Sequence, residues 1–425
     1  MKSTVAVVGG GVAGIVAAHE LAKAGHEVAL FEKNGYVGGH TSTVVLESGP
    51  DAGAAVDTGF IVCNDRTYPN FHRFLAELGV PWRWSDMSFG YHDANSGLQY
   101  AGTDVSGLFA QRANVMTPSF LSFLADVVRF GGRAQADLAS GALEGKTLGA
   151  YLSETGSSRA LRDHYIAPIG AAVWSSGLGE MLDFPAETFV RFFKNHGLLS
   201  LTDRARWQTV VGGSHAYVKA FLARFPGTVM RGAPVESVRR GAAGVEIRAA
   251  GRAPRVFDRV VIAAHADEAL KMLADPSPEE RRLLGAWTYS RNRTLLHVDE
   301  SFLPPNRRAW ASWNYRREKG EPETAGVSVT YDMNRLQGLK TLRRYLVTLN
   351  PRMEPRKGDL VREFNYAHPL YTFSAIRAQA ELPSLNGARS TWFCGSYFGY
   401  GFHEDAVSSA LAAARHLAAE SLEVA

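Results

Sequence analysis

Cysteine, surplus charge and long hydrophobic runs are all scarce in this chain. Its 425 residues include two cysteines, Cys63 and Cys394, which lie far apart and form neither a CxxC pair nor a metal-ligand spacing. A small disulfide-stapled fold is therefore excluded, and no metal site is predicted. No run reaches the roughly 18 apolar residues of a membrane span, so any membrane contact is expected to be peripheral.

Charge of one sign is nearly absent as well. The 46 Lys and Arg against 42 Asp and Glu leave a formal net charge of +4, which is too small to indicate a nucleic-acid partner. The excess is local, because residues 281–362 hold 17 Lys and Arg but 8 Asp and Glu. The N-terminus begins Met-Lys-Ser-Thr without the pattern of a signal peptide, which predicts a cytoplasmic protein.

The first 24 residues have the order of a nucleotide-binding βαβ unit. Residues 4–8 form a buried-strand pattern, a GxGxxG turn follows, and an Ala- and Leu-rich helical pattern runs to Ala24. Gly9 permits the tight turn, Gly11 lets a pyrophosphate approach the backbone, and Gly14 lets the helix pack on the strand. The residues assigned to this anion site are Gly9, Gly11, Val12, Ala13 and Gly14.

The second strand ends in an acid and is followed by another glycine turn. Glu32 stands where a carboxylate accepts hydrogen bonds from the ribose hydroxyls of an adenosine. Segment 34–41 brings further backbone amides to the same pyrophosphate, which FAD needs and NAD does not. The predicted cofactor is therefore FAD. Contacts with it are assigned to Glu32, Lys33, Gly38, Gly39, His40 and Thr41, although His40 reads equally well as a plain turn residue.

These motifs resemble those of the flavin amine oxidase and phytoene desaturase superfamily. In many of its members arginines occupy the positions of Asn34 and His40, so phosphate neutralisation in this chain falls to backbone amides, Lys33 or His40. Neither cysteine matches a flavin-linkage segment, so the resemblance implies non-covalent FAD.

The resemblance also assigns residues to the flavin and to the adenine. Segment 56–62 is expected to run beside the isoalloxazine ring, where Gly59 lets the backbone approach. A glycine turn at 395–396 and a helix beginning near 401 are expected to present backbone amides to the flavin N1 and C2 carbonyl. The residues so assigned are Thr58, Gly59, Phe60, Gly395, Ser396, Phe402, His403 and Ala406, with Val235 at the adenine.

The predicted fold is α/β, with a Rossmann-like GxGxxG domain that binds FAD interleaved with a substrate domain of mixed β-sheet and helical cap. The FAD-binding pieces are predicted at 1–65, 205–267 and 388–425, and the substrate domain at 66–204 and 268–387. Strands over the flavin are predicted at 294–298, 327–331 and 344–349. The run 257–264 is expected to be one strand in the return of the chain to the FAD-binding domain.

Segments along most of the chain are similar to one branch of this superfamily, the bacterial FAD-dependent oxidoreductases encoded beside cyclopropane-fatty-acid-synthase-like methyltransferases. The resemblance implies a methyl-branched fatty acyl substrate, free or phospholipid-bound, a neighbouring methyltransferase, and the desaturation step of furan fatty acid biosynthesis. The matching segments are 39–41, 57–60, 67–69, 173–175, 264–267, 331–334, 347–351, 366–369 and 401–405.

Desaturation by FAD removes a hydride to the flavin N5 and a proton to a base. A carbon allylic to a methyl-bearing double bond loses hydride most easily, because the developing cation is delocalised. Histidine is the natural proton acceptor near neutral pH, and His403 and His368 are the candidates, with Tyr366 in an aromatic floor beside them. The alternative is that these histidines only hydrogen-bond the flavin or the backbone.

Three other functions remain open. A flavin amine oxidase usually has a tyrosine where Phe402 stands and often a lysine near N5, for which the sequence offers no clear candidate. A carotenoid or isoprenoid desaturase and a non-catalytic flavin-bearing accessory protein are the others. The helical pattern at 120–130 and the basic stretch at 281–362 suit an anionic membrane rim, or equally core packing and a solvated face.

Overall fold

A computed structural model describes residues 2–200, 204–321 and 327–423 of the chain. Residue 1, residues 201–203 and residues 424–425 belong to predicted domain ends, and residues 322–326 belong to the basic stretch; these lie outside the described residues.

The strands are numbered in chain order. They are β1 Thr4–Val8, β2 Glu27–Phe31, β3 Thr43–Val45, β4 Ala55–Asp57, β5 Cys63–Asn64, β6 Trp82–Trp84, β7 Phe89–Asp93, β8 Gln99–Ala101, β9 Trp207–Val210, β10 Thr228–Met230, β11 Val235–Gly241, β12 Gly244–Ala249, β13 Arg255–Phe257, β14 Arg259–Ile262, β15 Tyr289–His297, β16 Trp313–Arg317, β17 Val329–Asp332, β18 Leu346–Leu349, β19 Leu360–Pro369 and β20 Thr391–Phe393.

The helices are numbered in the same way. They are α1 Val12–Lys23, α2 Pro69–Leu78, α3 Val105–Leu108, α4 Pro118–Ser140, α5 Leu148–Glu154, α6 Arg159–Leu161, α7 Ala167–Trp174, α8 Leu178–Asp183, α9 Ala186–Asn195, α10 His215–Arg224, α11 Ala266–Met272, α12 Pro278–Leu284, α13 Met333–Leu336, α14 Phe373–Glu381 and α15 His403–Glu423, with a π-helical turn at Arg162–Ile166 and a 3₁₀ turn at Arg112–Met116 among the shorter turns.

A five-stranded parallel sheet forms the nucleotide-binding layer. Its strand order is β10-β2-β1-β14-β20, and every neighbouring pair is parallel. The apolar residues of β1 and β2 are buried on both faces, as expected for a parallel sheet covered by helices. The strands come from three distant parts of the chain, at 4–31, 228–262 and 391–393.

The run 257–264, predicted as one strand, is two strands in two sheets. β13 joins the antiparallel sheet β11-β12-β13, and β14 joins the parallel sheet. The break is at Asp258, whose carboxylate accepts hydrogen bonds from the Thr4 N–H at 2.7 Å and the Thr4 hydroxyl at 2.9 Å. A polar residue tied to β1 turns the chain between the sheets.

A seven-stranded mixed sheet faces the parallel one, in the order β19-β15-β18-β17-β16-β7-β8. β16 and β7 are parallel, and the other neighbouring pairs are antiparallel. The strands predicted at 294–298, 327–331 and 344–349 are β15, β17 and β18, and they lie side by side. The α/β fold class with its mixed second sheet is confirmed.

Helices α4 to α9 share a hydrophobic core with the second sheet. Phe189 and Phe193 of α9 are fully buried there and stack with ring centroids 4.0 Å apart. The helix predicted from the apolar spacing at 120–130 extends over Pro118–Ser140. Among the helices of the described residues, none is long and apolar enough to cross a membrane.

Candidate functional site

A cavity of about 1280 Å³ lies between the two large sheets. Val8, Phe31 and Ala263 line it at the carboxyl ends of β1, β2 and β14, which is where open α/β sheets bind ligands. Small-molecule sites usually measure roughly 300–1,000 Å³. The cavity is therefore large enough for a dinucleotide and a substrate together.

The three predicted glycines of the first turn meet different neighbours. Gly9 has a φ of +105°, and a Cβ there would lie 2.5 Å from the Ala263 carbonyl oxygen. A Cβ on Gly14 would lie 1.8 Å from the Gly9 carbonyl oxygen, so this glycine lets α1 pack on the turn itself. A Cβ on Gly11 would meet nothing within 4 Å. Gly11 is open because it faces the cavity beside the N-terminus of α1, where Val12 and Ala13 also line the wall.

The second glycine turn packs directly on the first. The Gly38 N–H donates to the Gly10 carbonyl oxygen at 2.8 Å. Gly39 has a left-handed φ of +59°, and a Cβ on it would lie 3.3 Å from the Gly11 Cα. Both turns line the cavity beside the N-terminus of α1. The Gly9, Gly10 and Gly38 N–H groups are already bonded to Phe31, Glu32 and Gly10, so a pyrophosphate would rely on the amides at the start of α1.

Glu32 is buried at the end of β2 and lines the cavity. Its Oε2 accepts a hydrogen bond from the Gly10 N–H at 2.8 Å, and its Oε1 accepts from the backbone and the side chain of Asn34 at 2.8 Å each. A carboxylate has about four acceptor positions, so room remains for a ribose hydroxyl. The sequence did not indicate that Glu32 also holds the first glycine turn in shape.

Lys33 and Val235 line the cavity near Glu32, at what we call the adenosine end because the sequence predicts the ribose there. The Lys33 ammonium is 2.7 Å from Glu268 Oε1 in an exposed ion pair, so its charge is shared with a carboxylate before any phosphate arrives. Val235 begins β11 and lines the wall together with Pro234 and Glu236. The ion pair weakens the case for Lys33 as the phosphate-neutralising side chain.

The segment predicted beside the flavin ring lines the cavity through Thr58, Gly59 and Phe60. A Cβ on Gly59 would lie 2.2 Å from the His40 carbonyl oxygen, which also accepts a hydrogen bond from the Phe60 N–H at 2.7 Å. The glycine is therefore required by the chain's own backbone, whatever approaches the segment from the cavity. The Thr58 hydroxyl is hydrogen-bonded to Tyr366 Oη at 2.9 Å.

The C-terminal part of the chain closes the other side of the cavity. Ser396, Phe402 and Ala406 line the wall around the N-terminus of α15. The Gly395 N–H donates to Ser409 Oγ at 3.0 Å, and a Cβ on Gly395 would lie 2.6 Å from the Tyr397 ring. The turn and the helix are thus locked together where flavin contacts were predicted.

His403 is buried and engaged by the protein. Its ring stacks on Phe60 with centroids 3.7 Å apart, and its Nε2 is hydrogen-bonded to Tyr217 Oη at 2.9 Å. The Tyr217 hydroxyl is in turn hydrogen-bonded to Thr41 Oγ1, which places Thr41 in this network. Burial lowers the pKa of His403 to about 3. The Phe60 stack and the Tyr217 hydrogen bond suit a packing element of the cavity wall.

His368 lies on β19 with its tautomer fixed by its neighbours. The Asn350 side-chain amide donates to Asn292 Oδ1 at 2.8 Å, so the Asn292 NH₂ group is left facing His368 Nδ1 at 3.1 Å. An amide NH₂ only donates, so Nδ1 accepts and Nε2 carries the ring proton. Burial lowers the pKa of His368 to about 4. The ring is therefore a neutral hydrogen-bond donor in the cavity wall.

His40 carries its ring proton on the opposite nitrogen from His368. Burial, and then the neighbouring histidines, hold the pKa of His40 well below its usual range, while a bond to the Ala367 backbone raises it, as donation to a carbonyl does. Its Nε2 is buried without a hydrogen-bond partner among the described residues. The ring centroid is 5.1 Å from that of Tyr366 and 5.3 Å from that of His368. His40 Nε2 is therefore a nitrogen lone pair enclosed within the cavity wall, which the His40 residue lines.

Two residues of the site were not predicted from the sequence, His265 in the cavity wall and Asn292 beside it. His265 follows β14, stacks on Tyr289 at 4.4 Å and completes a cluster with His40 and His368. Asn292 orients His368 from β15. No local pattern marks these residues, since they meet only when β14, β15 and β19 converge. The similarity of segment 264–267 to the family was the one available signal.

We call the wall formed by residues 87–207 and 294–349 the apolar wall. It includes Phe89, Tyr100, Tyr165, Ile169, Val173, Trp174, Phe192, Leu198, Trp313, Tyr331, Val347 and Leu349. Over its described residues the apolar wall carries no carboxylate. Its arginine, Arg204, is exposed. The carboxylates that line the cavity are Glu32, Glu236, Asp267 and Glu268, at or near the adenosine end.

Among the described residues, one group of His and acid side chains has a spacing that a metal ion would need, namely His19, Glu20 and Glu77. Lys23 Nζ lies 2.9 Å from Glu77 Oε2 and 3.5 Å from Glu20 Oε1. The ammonium group supplies the positive charge that these carboxylates require, so the group is an ion-pair network.

Comparison with known proteins agrees with this site. The sequence pattern of the family described as "Flavin containing amine oxidoreductase" matches residues 12–418. The chain belongs to this family. It is a flavin-dependent oxidoreductase, and the glycine cradle, the open Gly11 and the position of Glu32 fit its cofactor, FAD.

The similarity extends to individual proteins. AofH of Mycobacterium tuberculosis, named as a flavin-containing monoamine oxidase, is 26% identical over 350 residues, which cover 78% of this chain and 70% of that protein. Cyclohexylamine oxidase from Brevibacterium oxydans has the same fold, with 17% identity, a TM-score of 0.73 and full coverage of both chains. A CLA-producing fatty acid isomerase from P. acnes has a TM-score of 0.67 at 17% identity, covering 97% of this chain and 98% of that one.

Proposed function

We propose that this protein desaturates a methyl-branched, unsaturated fatty acyl chain with FAD as the oxidant, giving a conjugated diene on the way to a furan-type lipid. The observation that carries the proposal is the apolar wall. Its aromatic and aliphatic side chains match an acyl chain, and over the described residues it offers no carboxylate to a cationic substrate. The exposed Arg204 lies where the wall reaches the surface and matches a carboxylate or phosphate headgroup.

The protein's part in this reaction is alignment and exclusion of water. When bound, FAD accepts the hydride equivalent from the allylic carbon. Trp174, Phe192 and Phe402 form an aromatic cluster in the wall, with Phe192 stacked on Phe402 at 4.8 Å and 4.8 Å from Trp174. These rigid rings restrict how an acyl chain lies in the cavity.

The proton released from the chain needs an acceptor with a free lone pair. His403 Nε2 is hydrogen-bonded to Tyr217, and His368 Nδ1 accepts from Asn292, so both of these nitrogens are engaged. His40 Nε2 is buried and unpartnered. We therefore infer that His40 accepts the proton, with the neighbouring His368 Nε2–H as a donor that helps to orient the reacting groups.

Methyl transfer onto an unsaturated chain is one route to a methyl-branched, unsaturated substrate, and it is the route we propose. The proposed reaction therefore follows a methyltransferase step, and the segments shared with the branch encoded beside such enzymes support a neighbouring methyltransferase. Whether the acyl chain is free or part of a phospholipid is decided by testing both.

Oxidation of an amine is the second candidate function, and the comparisons with AofH and cyclohexylamine oxidase favour it. Aromatic side chains around Phe402 would also hold a neutral amine. No carboxylate lines the described part of the apolar wall to attract a protonated one. The first function requires a lipid substrate and the second an amine, so one experiment distinguishes them.

Oxidised enzyme is mixed without oxygen with a methylated monoene lipid, the same lipid without the methyl group, and cyclohexylamine. Flavin absorbance and conjugated-diene absorbance are followed together. Bleaching with diene formation, fastest for the methylated lipid, is the expected result. Bleaching by the amine but by neither lipid would show that the protein is an amine oxidase. If none of the three compounds bleaches the flavin, a non-catalytic accessory role is favoured.

The same assay tests the histidines. His40→Gln is expected to slow bleaching by roughly 10²–10⁴-fold while FAD stays bound, because a general base of this kind contributes about that much. His403→Gln serves as the comparison, since it is expected to affect stability more than the rate. Equal rates for wild type and His40→Gln would refute the assignment.

A further inference from the structure

A chain of hydrogen bonds behind the cavity wall leads from the end of β18 through β15 to His368. Asn292 of β15 is 1% exposed, and its side-chain amide lies between Asn350 and the His368 ring. The amide nitrogen is 3.1 Å from His368 Nδ1, and the amide oxygen is 2.8 Å from Asn350 Nδ2. Neither asparagine lines the cavity, whereas His368 does. The two asparagines therefore act on a bound molecule through the wall and not by contact.

Ser290 fixes the orientation of the Asn292 amide from a second direction. Both residues lie on one face of β15, because side chains alternate along a strand, and Ser290 pairs with His368 of β19. The Ser290 hydroxyl donates to the His368 carbonyl oxygen at 3.4 Å, so its lone pairs accept from the Asn292 amide nitrogen at 3.0 Å. Both hydrogens of the Asn292 NH₂ group are thereby used, one on Ser290 and one on His368.

The backbone holds Asn350 in place. Its φ of +48° lies in the left-handed region, which only four non-glycine residues of the described chain occupy. Asparagine tolerates this conformation better than most residues, and backbone of this kind is common beside functional sites. The Asn350 N–H donates to the Arg293 carbonyl oxygen at 2.7 Å, which ties the turn after β18 to the middle of β15. The turn therefore directs the Asn350 amide at Asn292.

His368 is left with one ring nitrogen that the protein does not use. Nδ1 accepts from Asn292, so Nε2 carries the proton, and no described residue is hydrogen-bonded to Nε2. Unlike His40 Nε2, this nitrogen is not enclosed by protein, so it faces the cavity. Burial, and then the neighbouring His265, lower the pKa of His368 to about 4, so the ring is neutral at ordinary pH. His368 therefore offers the cavity a neutral N–H donor.

Hydrogen bonding, and not shape, decides this polarity. The oxygen and the NH₂ group of an amide are similar in size, so the Asn292 side chain would fill the same space if it were turned over. Its oxygen would then face His368 Nδ1, the proton would move to Nδ1, and Nε2 would present a lone pair. Ser290 and Asn350 exclude the turned arrangement because each satisfies one end of the amide. We call Ser290, Asn292 and Asn350 the amide relay.

We propose that Asn292 and Asn350 are positioning residues, which hold His368 as a hydrogen-bond donor toward the cavity. A donor at this position orients an acceptor atom of a bound molecule and cannot remove a proton from it. Proton removal is thereby left to His40, whose ring centroid is 5.3 Å from that of His368. The proton position on His368 is independent of the reaction, whereas an effect of the relay on flavin reduction rests on the function proposed above.

The proton position is measured by ¹⁵N NMR of the FAD-loaded full chain labelled at histidine. The spectrum of His368→Gln assigns the His368 signals, and the nitrogen shifts distinguish a protonated ring nitrogen from an unprotonated one. Wild type is expected to show a protonated Nε2 and an unprotonated Nδ1 at neutral pH. The reverse assignment overturns the proposal.

Asn350→Asp tests the relay at its far end, on a residue that does not touch His368. A carboxylate only accepts, so the Asn292 amide is expected to turn its NH₂ group toward it and its oxygen toward His368 Nδ1. Aspartate tolerates the left-handed backbone as asparagine does. We expect the proton on Nδ1 and lipid-dependent flavin bleaching slowed roughly 10–100-fold, the usual effect of losing a residue that orients a histidine. Retained FAD absorbance shows that the variant is folded.

Thr348→Val is the matched control. Thr348 lies on β18 two residues before Asn350, and its hydroxyl is hydrogen-bonded at 2.8 Å to Nε2 of His297, another buried histidine of β15. Neither Thr348 nor His297 lines the cavity. We expect this variant to lose stability but to keep the wild-type His368 signals and the wild-type bleaching rate. A His368 proton that moves equally in both variants would show a general loosening of the sheet and overturn the relay.

The two readouts separate the relay from the proposed function. If Asn350→Asp moves the His368 proton but no lipid bleaches the wild-type flavin, the positioning of His368 stands and the proposed function fails. If the proton moves while lipid-dependent bleaching keeps its wild-type rate, the part of the relay in the reaction is refuted. If His368 keeps its proton on Nε2 in Asn350→Asp, the relay itself is refuted.

Discussion

Gly11 and Gly14 lie three positions apart, but a side chain added at each would meet different neighbours. Gly11→Val adds a side chain that meets no protein atom near its Cβ but enters the cavity where the pyrophosphate approaches. We expect a folded protein with FAD bound more weakly by about 3 kcal/mol, or roughly a hundredfold. Flavin absorbance and titration of the apoprotein measure this.

Gly14→Val is the control for Gly11→Val. Its Cβ would lie 1.8 Å from the Gly9 carbonyl oxygen, so the turn itself must break and soluble protein should be lost. A Gly11→Val protein that keeps normal FAD affinity would show that the pyrophosphate does not approach this turn.

Glu32 joins cofactor binding to the shape of the turn. Glu32→Gln replaces one carboxylate oxygen by an NH₂ group, which cannot accept from both the Gly10 and Asn34 amides. We expect FAD affinity to fall by about 1–3 kcal/mol, and the free energy of unfolding of the apoprotein to fall as well. Unfolding curves with and without FAD separate the two effects, and an unchanged apoprotein would show that Glu32 serves the cofactor alone.

Buried histidines make stability depend on pH. The pKa of His403 is about 3 in the folded protein against an ordinary value of 6.5, so the unfolded chain binds more protons between these values. The contribution of His403 is complete above pH 6.5 and is lost as pH falls toward 3. Asp57 and Asp405, whose pKa values burial raises to about 7, act in the opposite direction.

A variant isolates the histidine contribution. Between pH 7.5 and pH 5, His403→Gln should lose about 1–2 kcal/mol less of its free energy of unfolding than wild type, because it lacks this titration. Denaturant unfolding at the two pH values measures the difference. Identical losses would mean that His403 is protonated in the folded protein.

One buried ion pair ties strand β11 to helix α12. The Arg240 guanidinium donates to both oxygens of Glu280 at 2.7 and 2.9 Å, and both side chains are at most 5% exposed. Glu280→Leu leaves a buried cation with only Asp275 beside it. We expect a loss of about 3 kcal/mol in the free energy of unfolding.

The neighbouring Glu279→Leu is the control, since Glu279 is 62% exposed and should change stability little. FAD affinity should be the same in both variants, because neither residue lines the cavity. A stable Glu280→Leu protein would show that Asp275 alone compensates Arg240.

Local sequence patterns predicted the order of strands and helices better than they predicted the contacts between these elements. The strand at Thr4–Val8 was predicted with its observed bounds, because apolar runs and glycine turns are short-range signals. The break at Asp258 was missed, because it depends on a hydrogen bond to Thr4, which is 254 residues away. Such a partner is invisible to a window that slides along the chain.

At the scale of the whole protein, neither cysteine is placed to form a covalent link to FAD. Cys63 and Cys394 are buried in the core, and burial raises the pKa of each to about 12, so neither is a ready nucleophile. Precipitation with acid should therefore release all the FAD into the supernatant. Yellow colour that stays in the pellet would contradict non-covalent binding.

The sequence by itself determined the nucleotide-binding unit and hence the cofactor. Gly9, Gly11, Gly14 and Glu32 act within one βαβ unit, where spacing alone sets geometry. Tertiary structure decided the rest of the site. The proton positions on His40 and His368 depend on Ala367, Asn292 and Asn350, which reach them from other strands.

Charge and exposure followed the same division. Composition placed the cationic excess at 281–362, but folding brought carboxylates beside many of these arginines and left the apolar residues around Met116 uncovered. A sequence fixes which groups a chain carries, whereas pairing and burial depend on which distant segments meet. For this reason the sequence predicted the cofactor-binding chemistry, but it did not predict the polarity of the substrate part of the cavity.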